Sequence, residues 1–261
     1  MRKNYLSFHT VFTLNENIKW LEEFIIYYKN IGFEHFYLYH NEGSNGCCGS
    51  ERQNKYGFPI NTSSNEEDKM LLSKILLKYK QCITYTLWQP IQNNIIVYGQ
   101  AKSIIDCITK YGNDNEWIAF FDLDEFIYSV KNIDLHQYLK SLDRNISCVK
   151  LIQKKFIDRF LVNGHLITQD FRCINNLHID TGWGAKNIVR CEDYVSVDII
   201  HDFSVKYNTV IPDTDILRFN HYNLNDKQLN WMKWFYNTNI DFKINDIDDG
   251  MSRYNNIFNN I

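Results

Sequence analysis

The stretch Trp117-Ile118-Ala119-Phe120-Phe121-Asp122-Leu123-Asp124-Glu125-Phe126-Ile127 decides how the rest of the chain is read. A run of large apolar residues ends abruptly in three carboxylates, two of them separated by one residue. The run is too short to cross a membrane and follows a Gly112-Asn113-Asp114 turn signal, so it predicts a strand buried on both faces of a central sheet. Side chains alternate along a strand, which predicts Asp122 and Asp124 on the same side at its carboxyl end. Carboxylates so close repel unless something positive lies between them, and a hard divalent cation with oxygen ligands meets that need. The bland alternative is a strand end leading into a solvated acidic turn.

Composition narrows the classes. The chain has 261 residues, enough for one large or two small domains, with 44% hydrophobic and 23% charged residues, as in an ordinary globular protein. A formal net charge of -3 gives no electrostatic reason to expect nucleic acid as a partner. Seven cysteines without a C-x-x-C pair read as free thiols in a reducing compartment. The N-terminal residues lack the apolar region of a signal peptide, and no stretch has the length of a membrane span, so a cytoplasmic protein is expected.

Upstream of the acidic strand the pattern alternates strand and helix. Leu6 to Leu14 reads as a strand, followed at Asn15-Glu16-Asn17 by a helix to Ile31 that Gly32 stops. Glu34 to Asn41 reads as the next strand, Glu66 to Lys80 as a helix, Cys82 to Trp88 as a strand and Ile95 to Lys110 as a helix. These βα units predict an α/β fold with a mostly parallel central sheet flanked by helices, and a right-handed first crossover. Ligands in such sheets bind beyond the carboxyl ends of the strands, where Asn15, Glu16, Asn41, Asp122 and Asp124 all fall. Glu42 to Asn65 reads as a long loop.

The second half reads as mixed β. A short helix is expected within Val130 to Leu142, and strands at Cys148–Phe156, Leu166–Cys173, Asn187–Val189, Val195–Ile200 and Asp215–Phe219. A helix is expected over Asn225–Thr238, and residues 241–261 read as a weakly patterned tail that frays. The whole is taken as one domain of two halves, residues 1–128 and residues 129–240.

Several segments together resemble one group of enzymes. Asn15-Glu16, Trp20-Leu21-Glu22-Glu23, Tyr27 and Gly32 through Tyr39 with Asn41 look like its opening; Trp117 through Phe126 resembles its W-x-x-x-x-D-x-D-E-F signature. Gly184, Lys186 and Ile188-Val189-Arg190 resemble its K-x-I-V-R segment, and Asn220-His221-Tyr222 its N-H-Y. The group is the GT-A-fold (Rossmann-like) glycosyltransferases related to family 2 and to glycosyltransferase family 92. Where that group has Tyr-Asp-Asn, this chain has Tyr39-His40-Asn41, which removes an acidic nucleoside contact.

The resemblance implies metal-dependent transfer from a nucleotide-sugar donor, UDP-sugar favoured, to a glycan or other hydroxyl acceptor. It implies Mn2+ or Mg2+ held by Asp124 with Asp122 and His221, and a donor held by Asn15, Glu16, Asn41, Asp122 and Lys186. An inverting reaction needs a carboxylate base; Asp180, beside Trp183, is the choice, with Glu192, Asp193 and Asp202 as competitors. Structural alternatives are a helix-start carboxylate for Glu16, a surface lysine for Lys186 and a buried, satisfied histidine for His221. The rival functions are a nucleotidyltransferase and an inactive sugar-binding module. A Gly-rich basic loop after the first strand, expected of the former, is absent.

Overall fold

The computed structural model describes residues 2–44, 64–156, 166–170, 173–174, 184–222 and 246–258. From the N-terminus these form β1 (Asn4–Phe12), α1 (Leu14–Asn30), β2 (His35–His40), α2 (Glu66–Lys78), β3 (Ile83–Leu87) and a small hairpin of β4 (Ile91–Gln92) and β5 (Ile95–Ile96). Then come α3 (Gln100–Tyr111), β6 (Asn115–Phe120), β7 (Glu125–Ser129), α4 (Leu135–Ser141), β8 (Ile146–Leu151), β9 (Gln153–Phe156) and α5 (Ile167–Asp170). The chain continues through β10 (Cys173–Ile174), β11 (Lys186–Arg190), β12 (Tyr194–Ile199), β13 (Asp202–Val205), β14 (Asn208–Val210), β15 (Leu217–Tyr222) and β16 (Asp246–Ile247) to a 3-10 segment, Gly250–Phe258.

The expected α/β class holds. A seven-stranded sheet has the order β14-β8-β11-β6-β1-β2-β3, and β11 is its one strand antiparallel to both neighbours. Strands β6, β1 and β2 are parallel and adjacent, so their carboxyl ends open on one edge. This sheet takes β8, β11 and β14 from the second half of the chain, so the two halves interleave in one layer. A second sheet, β16-β10-β9-β15-β7, stands apart from the first.

Alternation along β1 sorts the core. Leu6, Phe8 and Phe12 join α1, α2, β7, β15 and the 3-10 segment in a large cluster. Val11, with Tyr37, Ile118 and Val189, joins Ile104 and Cys107 of α3 and Val197 and Phe203 of the β12–β13 hairpin in a second cluster. Two tyrosines of α1 tie it to the strand after the acidic turn. Tyr28 Oη donates to Glu125 O at 2.7 Å and accepts from Ile127 N at 3.0 Å, while Tyr27 Oη donates to Ile127 O at 2.6 Å. Buried Glu23 caps α5, accepting from the backbone N–H groups of Ile167 and Thr168 at 2.8 and 2.9 Å.

Several expectations are corrected. The stretch Trp117–Ile127 is two strands in two sheets, because Phe121–Asp124 turns the chain out of the first sheet and into the second. Cys148–Phe156 divides in the same way at Ile152. Residues 167–170, expected as strand, are helical, held so by the Glu23 carboxylate. Ile95–Ile96 belongs to a hairpin, and α3 begins only after Gly99 in the left-handed region at φ 61°. The tail does not fray over Gly250–Phe258, where Met251 and Phe258 are buried in the larger core cluster. The helix expected at 225–238 lies outside the described residues.

Candidate active site

The acidic turn is fixed from every side. The Glu125 N–H donates to Asp122 O at 3.1 Å, and the Tyr222 N–H to Asp124 O at 2.8 Å. The Asp122 N–H donates to Glu125 Oε2 at 2.9 Å, so Glu125 closes the turn on itself. Because the strand stops at Phe120, the two-residue alternation that would align Asp122 with Asp124 no longer applies, and the two carboxylates diverge.

Asp122 faces the first sheet. It accepts from Gln100 Nε2 at 2.6 Å and from Lys186 Nζ at 2.5 Å. Lys186 is 2% exposed, and its ammonium also lies 2.9 Å from Glu125 Oε2. Burial opposes a charged lysine, but the Asp122 and Glu125 carboxylates hold this one above its usual range. Glu125 shares that single cation with Asp122, so burial prevails and its carboxyl is pushed up to about 7. A small cavity beside Asp122 is lined by His9, Val11, Gln100, Ile104, Phe120, Phe121, Lys186 and Ile200. Its His9 Nε2 has no hydrogen-bond partner among the described residues, and burial pushes this imidazole down to about 3.

Asp124 faces the second sheet. His221 sits directly opposite Glu125 in the β15–β7 pairing, and its Nε2 is 3.4 Å from Asp124 Oδ2. Its Nδ1 is 3.0 Å from Gln153 Oε1 and 3.9 Å from Glu125 Oε1. A Gln153 acceptor places the proton on Nδ1 and turns the Nε2 lone pair toward Asp124. Asp124, Glu125 and His221 each offer a ligand atom, all within 4.8 Å of one another. Two carboxylates and an imidazole are a donor set that fits a divalent ion such as Mn2+ better than an all-oxygen Mg2+ site.

The candidates therefore separate. Asp122 and Lys186 pair on the side of the first sheet, Asp124 and His221 lie together on the side of the second, and Glu125 reaches both groups. Lys186 is no surface lysine. Asn41 is fully buried at the end of β2, where its Nδ2 donates to Trp88 O at 2.8 Å and Val97 O at 3.2 Å, pinning the β4–β5 hairpin. The helix begins earlier than the sequence suggests, so Asn15 and Glu16 lie in the first turn of α1; Asn15 is exposed and Glu16 accepts from Thr13 Oγ1 at 3.2 Å. Asp180 lies outside the described residues.

Of its competitors, Glu192 and Asp193 follow β11, whose Arg190 pairs with Trp117 while Asn187 pairs with Phe120. They sit at the opposite end of the sheet, on the order of 15 Å away at strand rise. Asp193 is also 2% exposed and accepts from Arg144 and Ser147. Asp202 is exposed and pairs with Lys150. Sequence reasoning gave no role to Glu125, Gln100, Gln153 or Lys155. Glu125 lies within the signature itself and Gln100 stands one residue after a glycine that starts a helix, but nothing marks Gln153 or Lys155.

Residues 58–254 match glycosyltransferase family 92, a span that takes in the acidic turn, Lys186 and His221 and leaves out Asn15, Glu16 and Asn41. No curated protein matches. Among solved structures the chain is similar to that of HddC from Yersinia pseudotuberculosis, with 11% identity and a TM-score of 0.41 over 88% of this chain and 99% of that one. Among the described residues no helix is long and apolar enough to cross a membrane. With its signature turn matched inside three quarters of its length, the chain belongs to glycosyltransferase family 92 and is a glycosyltransferase.

Proposed function

We propose that the enzyme transfers a sugar from a nucleotide-sugar donor, a UDP-sugar in the first instance, to a hydroxyl of a glycan or other acceptor, with inversion. The observation that supports this most is the close approach of Asp124, Glu125 and His221 at the junction of two sheets, beside an Asp122 already neutralised by Lys186. Asp124 and His221, with Glu125, would hold Mn2+ or Mg2+; the ion supplies positive charge where the leaving diphosphate gains negative charge. Gln100 and Lys186 each hold one oxygen of Asp122, whose side chain is 32% exposed and would accept from a ribose hydroxyl of the donor. In the transfer, the bond between the anomeric carbon and the diphosphate oxygen breaks and its electron pair stays on that oxygen. The acceptor oxygen bonds to the anomeric carbon from the opposite face and its proton passes to a carboxylate, for which Asp180 remains the choice.

Thermal stability with UDP, GDP, TDP or CMP, each with and without Mn2+, tests this on the wild type and Asp124→Asn. A ligand at about 100 times its dissociation constant adds roughly 2.7 kcal/mol to stability. The expected result is a Mn2+-dependent rise with one nucleoside diphosphate that Asp124→Asn abolishes. No rise with any nucleotide refutes the donor reading and leaves an inactive module as the better account.

A further inference from the structure

Three hydrogen-bonding functions around the cavity beside Asp122 remain unspent after the contacts of the acidic turn are made. Lys186 Nζ carries three N–H donors. One reaches Asp122 and one Glu125, and among the described residues the third meets no acceptor. Gln100 spends its amide nitrogen on Asp122 at 2.6 Å, while its Oε1 accepts from no described residue. His9 is 2% exposed, and its Nε2 is likewise unpartnered among the described residues. All three side chains line the same cavity, whose remaining walls are apolar. The charge of Lys186 is felt at the His9 ring, so the two lie close.

A buried ring nitrogen left unpaired is costly, and apolar walls offer it nothing. The cavity has room of about 10 Å3 for a water-sized sphere, close to the least that one water requires. A buried water makes about three hydrogen bonds, the number of functions waiting here. We propose that this cavity is a binding site for one ordered water, which accepts from Lys186 Nζ, donates to Gln100 Oε1 and pairs with His9 Nε2. Water both donates and accepts, so it serves Nε2 in either tautomer. The water gives the Lys186 ammonium its third fixed bond and makes His9 a positioning residue for the Lys186–Asp122 pair. The effect on the donor rests on the reading proposed above; the site itself does not.

Crystal structures of wild type, His9→Phe and His9→Gln without nucleotide test this, together with calorimetric titration of each by UDP in saturating Mn2+. Wild type should hold one water within hydrogen-bond distance of all three atoms. Phe fills the space with a ring edge that bonds to nothing. The water is then lost, and UDP binds about threefold to tenfold more weakly, the range for one neutral hydrogen bond. Gln brings an amide atom close to the place of Nε2 and keeps the water and most of the affinity, a rescue that packing alone would not give. No water there in wild type, or one that misses any of the three atoms, overturns the site. If His9→Phe loses the water yet binds UDP within about twofold of wild type, the positioning role is wrong. It is equally wrong if His9→Gln keeps the water and loses affinity as Phe does. If wild type holds the water but binds no UDP, the donor reading falls and the water site stands.

Discussion

Replacing Lys186 by Met tests the electrostatic account of the acidic turn most directly. The ammonium is 2% exposed, 2.5 Å from Asp122 and 2.9 Å from Glu125, and Met fills nearly the same volume without a charge. Asp122, with its side chain 32% exposed, can hydrate and keeps Gln100, so the loss falls mainly on Glu125, which is 2% exposed. Removing one partner of a buried pair costs about 3 to 5 kcal/mol. The cost must depend on pH. The Glu125 carboxyl is already raised to about 7, and loss of the cation raises it further. A group raised in the folded state contributes stability below its unfolded pKa and loses it as pH rises through the folded value. The penalty is therefore full at pH 8 and falls toward about 1 to 2 kcal/mol, the lost hydrogen bonds, near pH 5. Urea unfolding at pH 8, 7 and 5.5 measures it, and Glu125→Gln in the Lys186→Met background relieves it by about 2 kcal/mol or more through their coupling. A penalty below about 1 kcal/mol at pH 8, or one equal at pH 8 and 5.5, refutes the reasoning.

Other expectations follow from named contacts. Tyr28→Phe removes a buried hydroxyl that both donates to Glu125 O and accepts from Ile127 N. It should cost about 1 to 3 kcal/mol in urea unfolding and loosen Mn2+ binding at the neighbouring turn; unchanged stability would show that α1 does not hold the turn through this group. His9, lowered to about 3 by burial, binds protons in the unfolded chain before it does so in the folded one. Its stability contribution is complete above pH 6.5 and declines below it, by about 2 kcal/mol at pH 5. His201, lowered to about 4, acts in the same direction, and Glu125 in the opposite one. Between pH 6.5 and 5, His9→Leu should therefore lose less stability than wild type, by about that amount; parallel curves would overturn the assignment.

The particular elements show what could be read in advance. The periodicity of Ile18–Tyr28 and the apolar strand at Trp117 are local signals, and each became the expected helix or strand, with ends shifted by a few residues, whereas α2 forms as expected but turns Leu72 and Ile75 inward and leaves Met70 and Leu71 exposed. The departures arose where a partner distant in sequence decided the outcome. Residues 167–170 are helical because Glu23 offers its carboxylate to their N–H groups, and Met251 and Phe258 are ordered because the core receives them. In the site, residue types and motif order pointed to Asp122, Asp124, Lys186 and His221 through the family resemblance.

The sequence by itself determined that a buried strand ends in an acidic motif, that parallel βα units bring strand ends together, and which family the chain resembles. Those properties depend on side-chain period and residue order, which are local. Only the tertiary structure decided that Asp122 and Asp124 part company, that Glu125 joins His221, and that Lys155 enters the row beside them. Each of these depends on which strands become neighbours, and pairing between β7, β15 and β9 is set by contacts across about sixty to a hundred residues that no local pattern encodes.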